Sequence, residues 1–131
     1  DYNNASKQSN DIISDSKKTG SNSPVVTLDN KQIKADYELI IRDYQKVIEL
    51  APDFIYGYFN LGNVFLSNND FISAIKCYSE AIQKEPDFGE AYFNRGLAYI
   101  LSGDKKNGLL DLSKAGELGI YTAYNIIKRY S

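Results

Sequence analysis

The chain has 131 residues, room for one domain of ordinary size, and its 43% hydrophobic and 24% charged residues are the balance of a soluble globular protein. A net charge of −2 argues against the broad basic face of a general nucleic-acid binder, so no nucleic-acid partner is expected. Histidine is absent, which removes Ser-His-Asp and Cys-His catalysis and histidine-based zinc sites, and the single cysteine, Cys77, cannot form an intrachain disulfide.

Residues 1–30 are expected to be a flexible or extended amino-terminal segment. Asp1–Ser23 is rich in Ser, Asn, Lys and Asp, with Ile12 and Ile13 as its large aliphatics, and cannot bury enough surface to offset the entropy of ordering. Pro24–Leu28, with its β-branched valines and threonine, reads as extended chain. Methionine is absent, so the sequence is read as a processed product or an excised fragment. No apolar run approaches the roughly 18 residues needed to span a bilayer, so no membrane span is expected in this fragment.

Lys31–Leu50 reads as one long helix ending before Pro52, within a half unit at 31–54. From there the sequence repeats every 34 residues. Pro52-Asp53-Phe54 falls on Pro86-Asp87-Phe88, Tyr58-Phe59-Asn60 on Tyr92-Phe93-Asn94, Gly62 on Gly96, and Asp70 on Asp104. Ile41, Ile75 and Leu109 share a column, as do Tyr44, Tyr78 and Leu112.

A full unit at 55–88 predicts two helices. Tyr58, Leu61, Gly62 and Phe65 recur at helical spacing, and Ser67-Asn68-Asn69-Asp70 breaks the pattern. Ala74, Ile75, Tyr78, Ala81 and Ile82 form the apolar face of the second helix, which Pro86 stops. A second unit at 89–119 repeats this through Tyr92, Gly96 and Tyr99, a turn at Ser102-Gly103-Asp104, and a helix carrying Leu109, Leu112 and Ala115. Gly119 is expected to end it as a left-handed C-terminal residue. Mid-helix glycine costs about 1 kcal/mol relative to alanine, so Gly62 and Gly96 predict close backbone approach. Residues 120–131 read as one capping helix, with Ile126 and Ile127 inward and Lys128 and Arg129 in water. Cys77, beside Tyr78 and near the core side of its helix, reads as an inert thiol.

The series Tyr58-x-x-Leu61-Gly62-x-x-Phe65, Ala74, Tyr78, Ala81 and Pro86 resembles the tetratricopeptide repeat at nearly every signature site. The next unit departs from it at Arg95, Gly108 and the missing closing proline. The resemblance implies an all-α fold, a short solenoid of antiparallel helix pairs at 31–131 with a C-terminal capping helix. It is similar to bacterial repeat proteins of both cytoplasm and cell envelope, which leaves the compartment open. It also implies a non-catalytic protein–protein interaction module, an adaptor or scaffold that binds a peptide or partner protein in a concave groove lined by the first helix of each pair.

Projecting the helical wheel away from the core gives the groove candidates Tyr56, Phe59, Asn60, Asn63 and Leu66 from one unit, and Glu90, Phe93, Asn94, Leu97 and Leu101 from the next. Phe59 and Phe93 have an equal reading as packing residues. Some family members grip a C-terminal carboxylate with lysine, asparagine and arginine. Asn63 and Asn94 match two of those sites, but Phe59 stands where a lysine would, and only Lys128 is near the register of the basic pair. The alternative is a structural or self-associating segment of a larger repeat protein, a homodimer included, because no preceding helix in the sequence covers the outer side of helix 31–50, which leaves Val25–Leu28, a second chain or upstream residues to do so. Acidic residues are scattered over turns and solvent faces, so no catalytic, cofactor or metal-binding residues are assigned and no enzyme is expected.

Overall fold

The computed structural model of the chain describes residues 29–131, and the extended segment expected at Pro24–Leu28 lies outside them, as does the rest of the amino-terminal stretch. Among the described residues there are six α-helices and no strand: α1 Asn30–Leu50, α2 Ile55–Ser67, α3 Phe71–Lys84, α4 Gly89–Leu101, α5 Lys105–Glu117 and α6 Thr122–Tyr130. Each helix packs on the next in the chain, and α2 also touches α4. The result is a short solenoid of helix pairs.

Aspartates start three of the helices. Asp29, Asp70 and Asp104 each accept a hydrogen bond from a backbone amide of the first turn, satisfying donors that have no partner within the helix. The turn inside each pair follows from the same residues. Asn69 and Gly103 occupy one repeat column and both have positive φ, 62° and 98°. This left-handed step lets Asp70 N donate to Phe65 O at 2.9 Å and Asp104 N to Tyr99 O at 2.8 Å, closing the carbonyls of the helix just ended. The aspartate that finishes one helix therefore caps the next. Gly119, with φ 99°, ends α5 by the same geometry, with Ile120 N donating to Ala115 O at 2.9 Å, as the sequence leads one to expect.

The core runs along the helix pairs. Ala74, Tyr78 and Ala98 form one buried cluster, Ala81, Phe88 and Ala91 a second, and Leu112, Ala115 and Ala123 a third. Alanine recurs because two helix backbones meet there, and larger half-buried side chains fill the space beside them. Gly62 has a different role from the one its position suggests. A Cβ there would sit 2.7 Å from the Tyr78 ring, so the glycine makes room for an aromatic ring, not for a backbone. At Gly96 the expected backbone approach holds: a Cβ would lie 3.0 Å from the carbonyl oxygen of Gly108.

Helix α1 is the exception, since none of its residues is buried. It lacks the turn that separates the helices of the later pairs. Ile33, Leu39 and Leu50 are exposed along it.

Candidate functional site

The predicted face is built from α2 and α4, which lie side by side. Asn94 Nδ2 donates to Asn63 Oδ1 at 2.8 Å, and the same oxygen accepts from the Tyr78 hydroxyl at 2.6 Å. Asn63 is only 5% exposed, so it joins two helix pairs and offers little to solvent. Burial pushes the Tyr78 hydroxyl above the usual tyrosine range and keeps it neutral, as a donor to that amide.

The remaining candidates are graded from wet to packed. Tyr56 and Glu90 are exposed at the start of their helices, and Leu101 is exposed at the end of α4. Asn60, Asn94 and Leu97 are half-buried. Phe59, Leu66 and Phe93 are half-buried too, and each packs against a core cluster. Phe59 lies 4.8 Å from Phe88 and 5.9 Å from Tyr78, ring centre to ring centre. It therefore serves packing, and the rest of its ring is open to solvent.

Phe54 extends this face beyond the predicted set, and buried Phe88 backs it. Tyr56 meets Phe88 edge-on at 5.6 Å, and Phe54 lies 5.8 Å from Tyr56. Phe54 and Tyr56 are 49% and 50% exposed. The repeated Pro-Asp-Phe was visible in the sequence, but as punctuation between helices; that its phenylalanine turns toward the face depends on the backbone of the connecting turn.

Other chemistry lies elsewhere. A hollow of about 440 Å³ between α1 and α3 is lined by Ile48, Tyr58, Leu61 and Ile75, and by none of the predicted face residues. Cys77 borders it, and burial, helped by the charges of Asp70 and Glu80, pushes its thiol up to about 12. Lys84 sits over the Tyr58 ring at 5.3 Å. Among the described residues no group of three potential ligands is placed to hold a metal ion, and no helix is long and apolar enough to cross a membrane.

Comparison with known proteins fits this geometry. Residues 62–103 match the model described as TPR repeat, and residues 43–76 match Tetratricopeptide repeat. The chain carries tetratricopeptide repeats. No curated protein sequence matches the chain. Among solved structures it is similar to the first TPR of Spaghetti (RPAP3) bound to the HSP90 peptide SRMEEVD, with a TM-score of 0.69 and 21% identity over 77% of this chain and 82% of that one. It is similar to the TPR2B domain of yeast Sti1 in its pHsp70 complex, with a TM-score of 0.63 and 25% identity over 75% and 82%. MamA from Desulfovibrio magneticus RS-1 gives a TM-score of 0.66 and 21% identity over 73% of this chain, which spans 55% of that structure.

The tetratricopeptide frame also corrects the reading of α6. The amide of Gly57 donates to Phe54 O, that of Ala91 to Phe88 O and that of Ala123 to Ile120 O, so these three pairs are equivalent. The step is 34 residues from Phe54 to Phe88 but 32 from Phe88 to Ile120, because the Gly119 turn replaces the proline-containing one. Tyr58, Tyr92 and Tyr124 then share a column. Tyr124, which the 34-residue period leaves outside the repeat, packs its ring over Gly116, where an added Cβ would lie 2.5 Å from it. Lys128 moves to the column of Gly96, away from the register a carboxylate-gripping set requires. Thr122, Asn125 and Arg129 fall in the columns of Glu90, Phe93 and Leu97 instead.

Proposed function

We propose that this tetratricopeptide-repeat chain is a non-catalytic interaction module that holds a peptide or a segment of a partner protein across the α2–α4 face. The observation that carries the reading is the continuity of that face. Exposed Phe54 and Tyr56 rest on buried Phe88, which backs half-buried Phe59, and the amides Asn60 and Asn94 and the aliphatics Leu97 and Leu101 continue along the same two helices. Aromatic rings supply rigid contact area at small entropic cost, and the amides pair with a peptide backbone. The Asn63–Asn94–Tyr78 network holds α2 and α4 together before any ligand arrives, so docking orders little of the protein. Two of the solved structures it is similar to were obtained as complexes, one with an HSP90 peptide and one with pHsp70.

Peptide display on the folded chain tests the reading. Selected peptides should lose about tenfold or more in affinity to Tyr56→Ala and to Leu97→Ala, and keep it with the outer-face variant Ile72→Ser. Equal loss for Ile72→Ser, or no loss for the face variants, would remove the groove as the binding surface.

A second reading concerns α1. Ile33, Tyr37, Ile40, Tyr44 and Val47 recur at spacings of four and three, yet none is buried. This stripe favours contact with another helix pair or a second copy of the chain. Sedimentation would show a dimer that Ile33→Glu dissolves; a monomer at every concentration would remove the second copy as the occupant.

A further inference from the structure

We propose that the aromatic end of this face is built to receive a cationic side chain, so that the peptides it takes carry lysine or arginine and are not acidic. The inference rests on the groove reading above and deepens it. Phe54, Tyr56 and Phe88 form a run of rings in contact, with Phe54 and Tyr56 each about half exposed. An open aromatic face attracts a cation through the ring quadrupole, and more strongly when neighbouring groups exclude water.

The charged residues that flank these rings most closely in sequence are acidic. Asp53 precedes Phe54, Asp87 precedes Phe88, and Glu90 lies in the first turn of α4. All three carboxylates are exposed, and none has an ion-pair partner among the described residues. The cations that lie nearest in sequence are engaged elsewhere: Lys46 with Glu49 at 3.5 Å, and Lys84 over Tyr58. Arg95, further along α4, is committed to Asp111. The patch therefore offers two kinds of group that stabilise a cation, and an acidic segment would meet like charge there. A lysine or arginine laid on Tyr56, with its charge between Asp87 and Glu90, satisfies both and buries its aliphatic stem on Phe54.

Three fluorescein-labelled peptides of equal length and equal apolar content, with net charges of plus three, zero and minus three, test this by anisotropy on the full chain. The cationic peptide should bind at least about tenfold more tightly than the acidic one, and added salt should erode the difference. Tyr56→Ala should weaken the cationic peptide about tenfold, Glu90→Lys should erase its advantage, and Glu80→Lys on the outer face should change neither. All three variants alter exposed side chains, and circular dichroism checks that each remains folded. Equal affinity for the three peptides, or preference for the acidic one, would overturn the proposal, while Tyr56-dependent binding in that case would leave the groove reading standing. Absence of any Tyr56-dependent binding would overturn both. A synthetic copy of residues 1–28 that bound more tightly than the cationic peptide would reassign the patch to the chain's own start and overturn it as well.

Discussion

The two complete hairpins, α2–α3 and α4–α5, keep the same fold with different interiors. In the first, the ring of Tyr78 fills the space over Gly62, and its hydroxyl is anchored on Asn63. Leu61 and Cys77 stand beside it and are not charged. In the second, Leu112 replaces the tyrosine, and the smaller side chain leaves room that the backbones take up. Gly108 stands where Ala74 stands in the first hairpin, and its carbonyl approaches Gly96. The columns of Leu61 and Cys77 hold Arg95 and Asp111, joined by two hydrogen bonds of 2.7 and 2.8 Å, with Ser79 of the preceding hairpin accepting a third at 3.1 Å. That ion pair raises the arginine pKa further, and the guanidinium also lies over the Tyr92 and Tyr99 rings. One hairpin is thus specified by a large ring in a notch, and the other by close backbones and a polar clamp that reaches its neighbour.

The sharpest break in this contrast is Tyr78→Ala. It empties the first interior and should cost about 4 kcal/mol in urea unfolding followed by circular dichroism. A loss below about 1 kcal/mol would mean the ring is not what separates α2 from α3. Next comes Asp111→Ala, which strands a mostly buried guanidinium and should cost about 3 kcal/mol. The double change Arg95→Leu with Asp111→Cys transplants the first hairpin's pair into the second. It should stay within about 1 kcal/mol of the parent, since replacing a buried ion pair by apolar groups is often neutral. Equal destabilisation by the single and double changes would show that the clamp's charge is not the relevant feature.

Gly108→Ala should cost about 2 kcal/mol despite alanine's better helix propensity, because the added methyl meets Ile100 and the Gly96 carbonyl. The corresponding site in the first hairpin already holds alanine. The smallest effect concerns Cys77. Its thiol is raised from 9.0 to about 12, so the folded form keeps a proton that the unfolded chain gives up. Stability present below about pH 9 should decline as pH rises toward 12, with a shallower decline in Cys77→Ala. At pH 8 iodoacetamide should label native Cys77 at least about tenfold more slowly than the urea-unfolded chain; equal rates would contradict burial of the thiol.

Much of this was legible in the sequence. The 34-residue period, the tight turns at Asn69 and Gly103, and the stop at Gly119 each follow from residues acting locally. Arg95 stood out as a departure, but its partner lies across a hairpin, 16 residues away, where no local rule connects them. A helical wheel turns Asn63 and Asn94 toward the groove but cannot show that their amides meet each other. The α6 register slipped because a two-residue shortening of one turn is invisible to a search at a fixed offset. Tyr56 and Glu90 lie at the exposed helix starts where the wheel puts them, whereas the ring of Phe54 reaches that face, with Phe88 buried behind it, through turns whose path only the folded chain defines.

The most direct test of the account is an amide-resolved NMR titration of the isotope-labelled chain with a display-selected peptide. Perturbations should concentrate at Tyr56, Asn60, Glu90 and Leu97 and leave the outward side of α3 and α5 unchanged. Shifts confined to Ile72, Lys76 and Leu110 would contradict it.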